Sequence, residues 1–449
     1  GEPRAFEPED RLALPSAGAR AVAAADLDAD GLPDLIVCNL ADGSAAESRS
    51  WVFWGAPEGF DARNRTRVPG RGCHGVAVAD FDRDGHLDIA LARYFDGTTH
   101  ALPSWVLWGT AEGFQSALRT ELPTAGATRV ATGDLDRDGH LDILFANHYS
   151  ATDPAPSSSV YWGSPHGFHE DDRLDLPTSR AYDVTVADLD SDGHLDVVFA
   201  NYSAGVTIFP GSADGPDPGD RVDLPGLLTS SVSVADLDDD GHLDIVAGNY
   251  SDGASFAVPS YLYFGSAAGF DPRARGEVPT VGTVGDLVFD FDGDGDLDIL
   301  FTSWWDGTTF TTPSLLYWGS GADFLASSRL EIPSSGASTF ARDPGNVFDR
   351  GPDESYRSSP HDGGHPRLFA RLTVNALTPP GTEVSVQLRS APDQAGLEEA
   401  TWRGPTGPED AYGPGVTAIS LVHDGHRWIQ YRATLTSSDG ARSPILSSV

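Results

Sequence analysis

Three observations predict an all-β protein assembled from repeats. The acidic stretch D-x-D-x-D-G-x-x-D occurs six times, beginning at Asp26, Asp80, Asp134, Asp188, Asp236 and Asp290, at steps of 54, 54, 54, 48 and 54 residues. Between the copies lie short apolar runs of strand length, and no window in the repeats sustains a helical period. Glycine (50) and proline (32) are too frequent for a helical bundle, and 39% hydrophobic residues are too many for a disordered acidic chain. Four strands per repeat, punctuated by Gly and Pro, describe the blade of a β-propeller.

The second repeat shows the plan. Val76–Ala79 leads into the acidic loop and Leu87–Leu91 leads out; Ser104–Trp108 and Leu118–Leu122 supply the third and fourth strands. A W/F-G-x-x-x-G-F segment follows each loop, at Trp54-Gly55 to Phe60, Trp108-Gly109 to Phe114 and Trp162-Gly163 to Phe168. It decays to Pro210-Gly211 to Pro216, returns at Phe264-Gly265 to Phe270, and ends as Trp318-Gly319 to Phe324. An apolar-Pro pair closes each unit, at Pro69, Pro123, Pro177, Pro225, Pro279 and Pro333. A further pair, Leu14-Pro15, stands alone, and Asp10 to Pro15 reads as an outer strand without its own blade. That orphan tips the expected count to seven blades, the last drawing inner strands from beyond Ser338; six is the alternative. The domain plan is therefore 1–340 for the propeller and 341–366, rich in Asp, Gly, Pro, Ser and His, for a linker or docking segment. Residues 367–449 form a β-sandwich, with strands near Leu368–Val374, Glu383–Arg389, Thr417–Val422, Trp428–Leu435 and Pro444–Val449. Its Trp402, Trp428 and Tyr431 are either core or a sugar platform.

The repeated loop has the chemistry of a calcium site. Aspartates at positions 1, 3 and 5 present carboxylates to one side of a curling chain, glycine at 6 permits the sharp turn, and the Asp at 9 closes the cage. The expected ligands are Asp26, Asp28, Asp30 and Asp34; Asp80, Asp82, Asp84 and Asp88; Asp134, Asp136, Asp138 and Asp142; Asp188, Asp190, Asp192 and Asp196; Asp236, Asp238, Asp240 and Asp244; Asp290, Asp292, Asp294 and Asp298. Four carboxylates so close repel unless a cation lies among them, which predicts about six structural Ca²⁺ ions. Strand flanks and the lack of Glu at position 12 exclude an EF-hand. His86, His140, His194 and His242 occupy position 7, where the backbone carbonyl ligates and the imidazole faces solvent.

The loop, the apolar residues after it and the W-G-x-x-x-G-F segment resemble the FG-GAP/VCBS repeats of bacterial surface proteins, a plan similar to the integrin α-subunit propeller. The likeness covers about residues 9–340. It implies a propeller whose calcium loops join the first and second strand of each blade on one face, and it names no activity, because this fold hosts adhesins, lectins and enzymes alike. Trp428–Arg432 resembles the closing strand of sandwich modules appended to bacterial extracellular proteins.

The face opposite the loops is where blades differ, and rigid frames carry their ligand contacts on such positions. Segments entering the inner strands give His74, Arg129, Tyr182 and Asp183. Segments leaving the second strands give Arg93, Tyr94, His148, Tyr202, Tyr250, Trp304 and Trp305. Aromatic, Arg and His groups suit a hydroxyl-rich ligand. Asn147, Asn201 and Asn249 recur at one blade position and read as strand caps. Cys38 and Cys73 fall at the seam of the first two blades, where an oxidising compartment would join them; a Cys-His metal pair with His74 is the alternative.

Twenty-nine basic and 67 acidic side chains give a formal charge of −38, which argues against nucleic acid and anionic membrane as partners. No run of 18 apolar residues is present to span a bilayer. The absence of Met fits a mature chain after removal of an export signal, and calcium loops fill where calcium is near millimolar, so the expected location is extracellular, cell-surface or periplasmic. No G-x-S-x-G, H-E-x-x-H or phosphate-loop signature occurs. The expectation is a calcium-stabilised binding or adhesion protein for carbohydrate or an extracellular protein ligand. A hydrolase or lyase using His74, Arg129, Asp183 or Tyr182 around the central channel is the alternative, and a purely structural surface component the third.

Overall fold

The computed structural model describes residues 12–337 and 353–449, except 17, 29, 31, 41–49, 70, 111–112, 116, 293, 295, 322, 325–326, 328, 379–381, 409 and 438–443. The chain divides into two compact units, with the main boundary after Arg350.

Among the described residues the first unit holds six four-stranded antiparallel sheets, each with its strands in chain order. The innermost strands are Ala19–Ala25, Cys73–Ala79, Ala127–Gly133, Ala181–Ala187, Thr229–Ala235 and Thr283–Phe289. Each packs on the next in sequence, as propeller blades do. The apolar cores lie between neighbouring blades. Val106, Leu122 and Phe81 of the second blade, for example, pack with Ile143, Phe145 and Tyr161 of the third. The second strands, such as Asp142–Asn147 and Asp196–Asn201, are buried along their whole length, which explains why they read as continuous apolar runs.

The closing prolines have a partner across the seam. The hydroxyls of Tyr161, Tyr263 and Tyr317, on third strands, donate to the carbonyls of Pro123, Pro225 and Pro279 at the end of the preceding blade. The expected seventh blade rests on Asp10 and Arg11, outside the described residues, and on the chain just beyond Ser338. Of that chain 339–352 also lie outside the described residues, and the strands from Asp353 on belong to the second unit; Leu12 to Pro15 carry no strand.

In the second unit Thr382–Ala391 pairs along its full length with Trp428–Ser437. Arg371–Leu377 pairs with Gly415–Ala418 and Ile445–Ser448. Leu372, Val374, Val384, Val386, Leu388, Tyr412 and Ala433 form the core. The segment read as a linker, 341–366, contains strands Asp353–Arg357 and His361–Asp362, both paired with Trp428–Ser437, so its second half is part of this sheet. The helix Gln394–Glu399, capped by Asp393, has no counterpart in the sequence reading. Trp402 packs its ring near the guanidinium groups of Arg389, Arg432 and Arg357, at 4.7, 5.4 and 5.7 Å, rather than standing open.

Candidate functional site

Each blade has two chemically different ends. At one end the acidic loop joins the first two strands. The ninth-position aspartate is its buried anchor: in the third blade Asp142 accepts the Leu135 amide at 2.8 Å and the Gly163 amide at 2.8 Å. Asp34, Asp88, Asp196, Asp244 and Asp298 repeat both bonds, each reaching the glycine of its W/F/P-G segment. That shared contact is why the loop and the W-G segment keep the same period. A side chain on Gly163 would collide with the Leu141 carbonyl, and Gly55, Gly109, Gly211, Gly265 and Gly319 have the same crowding.

In five loops the carboxylates at positions 1, 3 and 9 bring one oxygen each within 4.8 Å of one another: Asp26, Asp28 and Asp34; Asp80, Asp82 and Asp88; Asp134, Asp136 and Asp142; Asp188, Asp190 and Asp196; Asp236, Asp238 and Asp244. The position-5 aspartates stay outside these groups, and each turns an oxygen to the amide of residue 7, as Asp84 does to His86 at 2.8 Å. Oδ1 of Asp134 and of Asp238 is buried without a hydrogen-bond partner. Burial drives the ninth-position carboxyls upward against their two amide bonds, to about 7 for Asp88, 8 for Asp142, 6 for Asp196 and 7 for Asp244. Orphaned oxygens and strained carboxylates in an all-oxygen set fit a hard divalent cation. One position-4 residue also links two loops: Arg137, at φ 58, donates from NH1 to the Gly193 carbonyl of the next loop at 2.7 Å.

The opposite end is shaped by a bulge. Each inner strand skips one residue in its pairing just after it starts, leaving Arg20, His74, Thr128, Tyr182, Ser230 and Val284 without a cross-strand partner. A bulge re-aims its side chain, and at His74, Thr128 and Ser230 it turns toward the next blade. The His74 Nδ1–H faces the Thr128 carbonyl at 2.9 Å, Thr128 Oγ1 donates to Ala181 O at 3.2 Å, and Ser230 Oγ donates to Thr283 O at 2.5 Å. Arg129 NH1 donates to the carbonyls of His74 and Thr128 at 3.1 and 3.2 Å, and its Nε lies 3.7 Å from Asp183 Oδ1. Asp183 Oδ2 in turn accepts the Val232 amide at 3.2 Å. This polar chain ties four blades together. His74, Arg129 and Asp183 are only 3, 8 and 1% exposed, so they brace the blades beneath the surface. Burial, then the charges of Arg129 and Arg20, hold the His74 imidazole well below its usual range and neutral.

Beside the braces, at the same end of the blades, runs a belt of rings, half-buried except for the buried His148. Tyr94 and Tyr182 lie 5.3 and 5.6 Å from His74. Tyr182 and Tyr202 lie 5.3 and 5.6 Å from His148, and Tyr250 is 6.0 Å from Tyr202. His100, stacked on Phe95 at 4.5 Å, extends the belt beyond Tyr94, and Phe256 extends it beyond Tyr250. In the sixth blade Trp304 lies under Arg20 at 4.1 Å and Trp305 beside Phe310 at 4.4 Å. Arg93 points elsewhere: it donates to Arg71 O and Pro103 O and covers the Trp105 ring at 4.0 Å. Asn147, Asn201 and Asn249 cap strand ends, accepting the amides of Ala125, Ser179 and Leu227. Cys38 and Cys73 form a disulfide with Cα atoms 5.3 Å apart, which removes the thiolate pair from metal chemistry.

Arg180 is the mouth residue that the sequence reading passed over. Its NH2 donates to His148 Nε2 at 3.1 Å, His148 Nδ1 faces the Arg180 carbonyl at 3.2 Å, and the guanidinium lies 5.2 Å from the Tyr202 ring. Burial, then the Arg180 charge, lowers His148 to about 4. The missed signal was one of register: the blade position of Arg180 is glycine at Gly18, Gly72, Gly126, Gly282 and Gly336.

Residues 26–91 and 188–247 match the FG-GAP-like repeat family. No curated protein is significantly similar to the chain. Similar solved structures include a chain of the BBS1N–ARL6DN complex, at 9% identity and TM-score 0.45 over 72% of this chain and 84% of that one. A chain of the nidogen/laminin complex follows at 9% and 0.37, over 65% and 96%. The V. cholerae biofilm matrix protein Bap1 is 13% identical with a TM-score of 0.39, over 97% of this chain and 69% of that one. Among the described residues no helix is long and apolar enough to cross a membrane.

Proposed function

We propose that this array of FG-GAP-like repeats is an extracellular binding module, locked by calcium at its acidic loops and taking a carbohydrate at the opposite, aromatic mouth. The belt of Tyr94, His148, Tyr182, Tyr202 and Tyr250 carries the reading. Its rings come from four successive blades; the four tyrosines keep part of their surface open over the buried His148, and the belt offers apolar faces edged by hydroxyl groups. The disulfide suits an oxidising compartment, where calcium is also plentiful. The groups on which a hydrolase or lyase would draw, His74, Arg129 and Asp183, are committed to bonds between blades, which favours binding over turnover.

The test is a glycan array in millimolar calcium beside a polysaccharide-degradation screen, with Tyr182→Ala and Tyr202→Ala as controls. Binding without turnover, lost in both variants, supports the reading. Chain cleavage would move the protein to the enzymes, and silence in both assays would leave a structural component.

A further inference from the structure

The blade position of Arg180 is reserved for a left-handed backbone. Gly18, Gly72, Gly126, Gly282 and Gly336 hold φ of 65, 76, 55, 52 and 58° there, and Arg180 holds 58° with a full side chain. A non-glycine residue in this region is strained, and such strain collects at binding sites, where the side chain is needed despite its backbone cost. Only Leu228, at φ 45°, shares the exception among the described blades.

The side chain is held but electrically unanswered. Its NH2 donates to His148 Nε2 and its face approaches Tyr202, while Nε is buried with no hydrogen-bond partner. The His148 contact fixes the tautomer: Nε2 accepts from Arg180, and the ring proton sits on Nδ1 toward the Arg180 carbonyl. The imidazole therefore adds no charge. In a chain with 67 acidic residues, Arg180 makes no ion pair with any described carboxylate; the nearest acidic brace, Asp183, is taken by Arg129.

We propose that Arg180 receives the carboxylate of an acidic saccharide, a uronate-type sugar, whose ring lies on the Tyr182–Tyr202–Tyr250 belt. A guanidinium matches a carboxylate with two parallel hydrogen bonds, and the aromatic faces beside it fit a pyranose better than an extended peptide. The inference rests on the mouth being a carbohydrate site and adds the charge of its ligand.

The experiment compares oligogalacturonate with the same oligomer methyl-esterified, by calorimetry on the full chain in millimolar calcium. Wild type should bind the free acid about ten-fold or more tightly than the ester, the worth of one charged bidentate contact. Arg180→Gly should abolish that preference. It should leave the melt unchanged or raised, because glycine is the residue of this position in four of the five other described blades; Arg180→Asn, which also tolerates this backbone, is the second variant. Acid and ester bound equally, with Arg180→Gly indifferent, would overturn the carboxylate assignment and leave the carbohydrate mouth standing. Failure to bind either oligomer overturns the saccharide class. Arg180-dependent binding of poly-glutamate instead would reassign the site to an acidic peptide.

Discussion

The two ends of each blade grow from the same four strands and behave as chemical opposites. At the loop end the residues are nearly identical in all six repeats, the charged groups are carboxylates, and burial pushes their proton affinity up. At the mouth the residues differ from blade to blade, the ionisable groups include Arg and His, and burial pushes the imidazoles down. Repetition is therefore spent on one end to hold the frame, which frees the other to vary. The comparison also separates two kinds of buried charge: one set that asks for a cation from solution, and one that is already braced from within.

The comparison breaks most readily at the metal. Chelation with EDTA should lower the melting temperature by about 10 °C or more and millimolar Ca²⁺ should restore it, since metal bound only by the folded state adds to its stability; an unchanged melt removes the calcium reading. Next in size is Gly163→Ala, whose new methyl collides with the Leu141 carbonyl and spoils the Asp142 bond; a loss of about 3 kcal/mol in chemical denaturation is expected. A full-strength protein would show that the W-G segment is not fixed by that contact.

Acid sharpens the contrast. His148 is about 4 in the fold against an ordinary 6.5, so the unfolded chain takes the proton first. Its stabilising contribution is present above pH 6.5 and is lost as pH falls toward 4, by about 3 kcal/mol. His148→Gln should flatten this limb of a stability–pH curve. Once stripped of metal, the loops should slope the other way: Asp88, Asp142, Asp196 and Asp244 favour the fold while protonated, a contribution full below about pH 4 and lost as pH rises to their folded values of about 6 to 8. The smallest effect belongs to Tyr202→Ala, which should shift stability by about 1 kcal/mol or less while removing ligand binding. A large loss of stability with binding intact would mean that the belt is core.

The frame was legible because its causes are local and repeated. The aspartates, the W-G glycines and the closing prolines each sit at a fixed distance from the bonds they make. The mouth was legible only in outline. A single skipped residue at Arg20, His74, Thr128, Tyr182, Ser230 and Val284 changes which side chains turn toward the neighbouring blade, and no residue type announces it. Hence His74, Arg129 and Asp183, expected at a ligand, lie buried as braces, and Arg93 covers Trp105 instead. Arg180 escaped notice because its significance is conformational: only beside five glycines does an arginine there stand out.

The disulfide between Cys38 and Cys73 has a mechanical consequence. It joins the end of the first blade's second strand to the start of the second blade's inner strand, so Ser50–Phe53 and Arg65–Val68 lie within a covalent loop. A pull on the N-terminal side can draw out only the two strands before Cys38; the 35 residues to Cys73 cannot pay out. At full extension that is about 120 Å of chain withheld. The bond thus acts as a stop on a rope, and an oxidised molecule under tension should lengthen in a shorter first step than a reduced one.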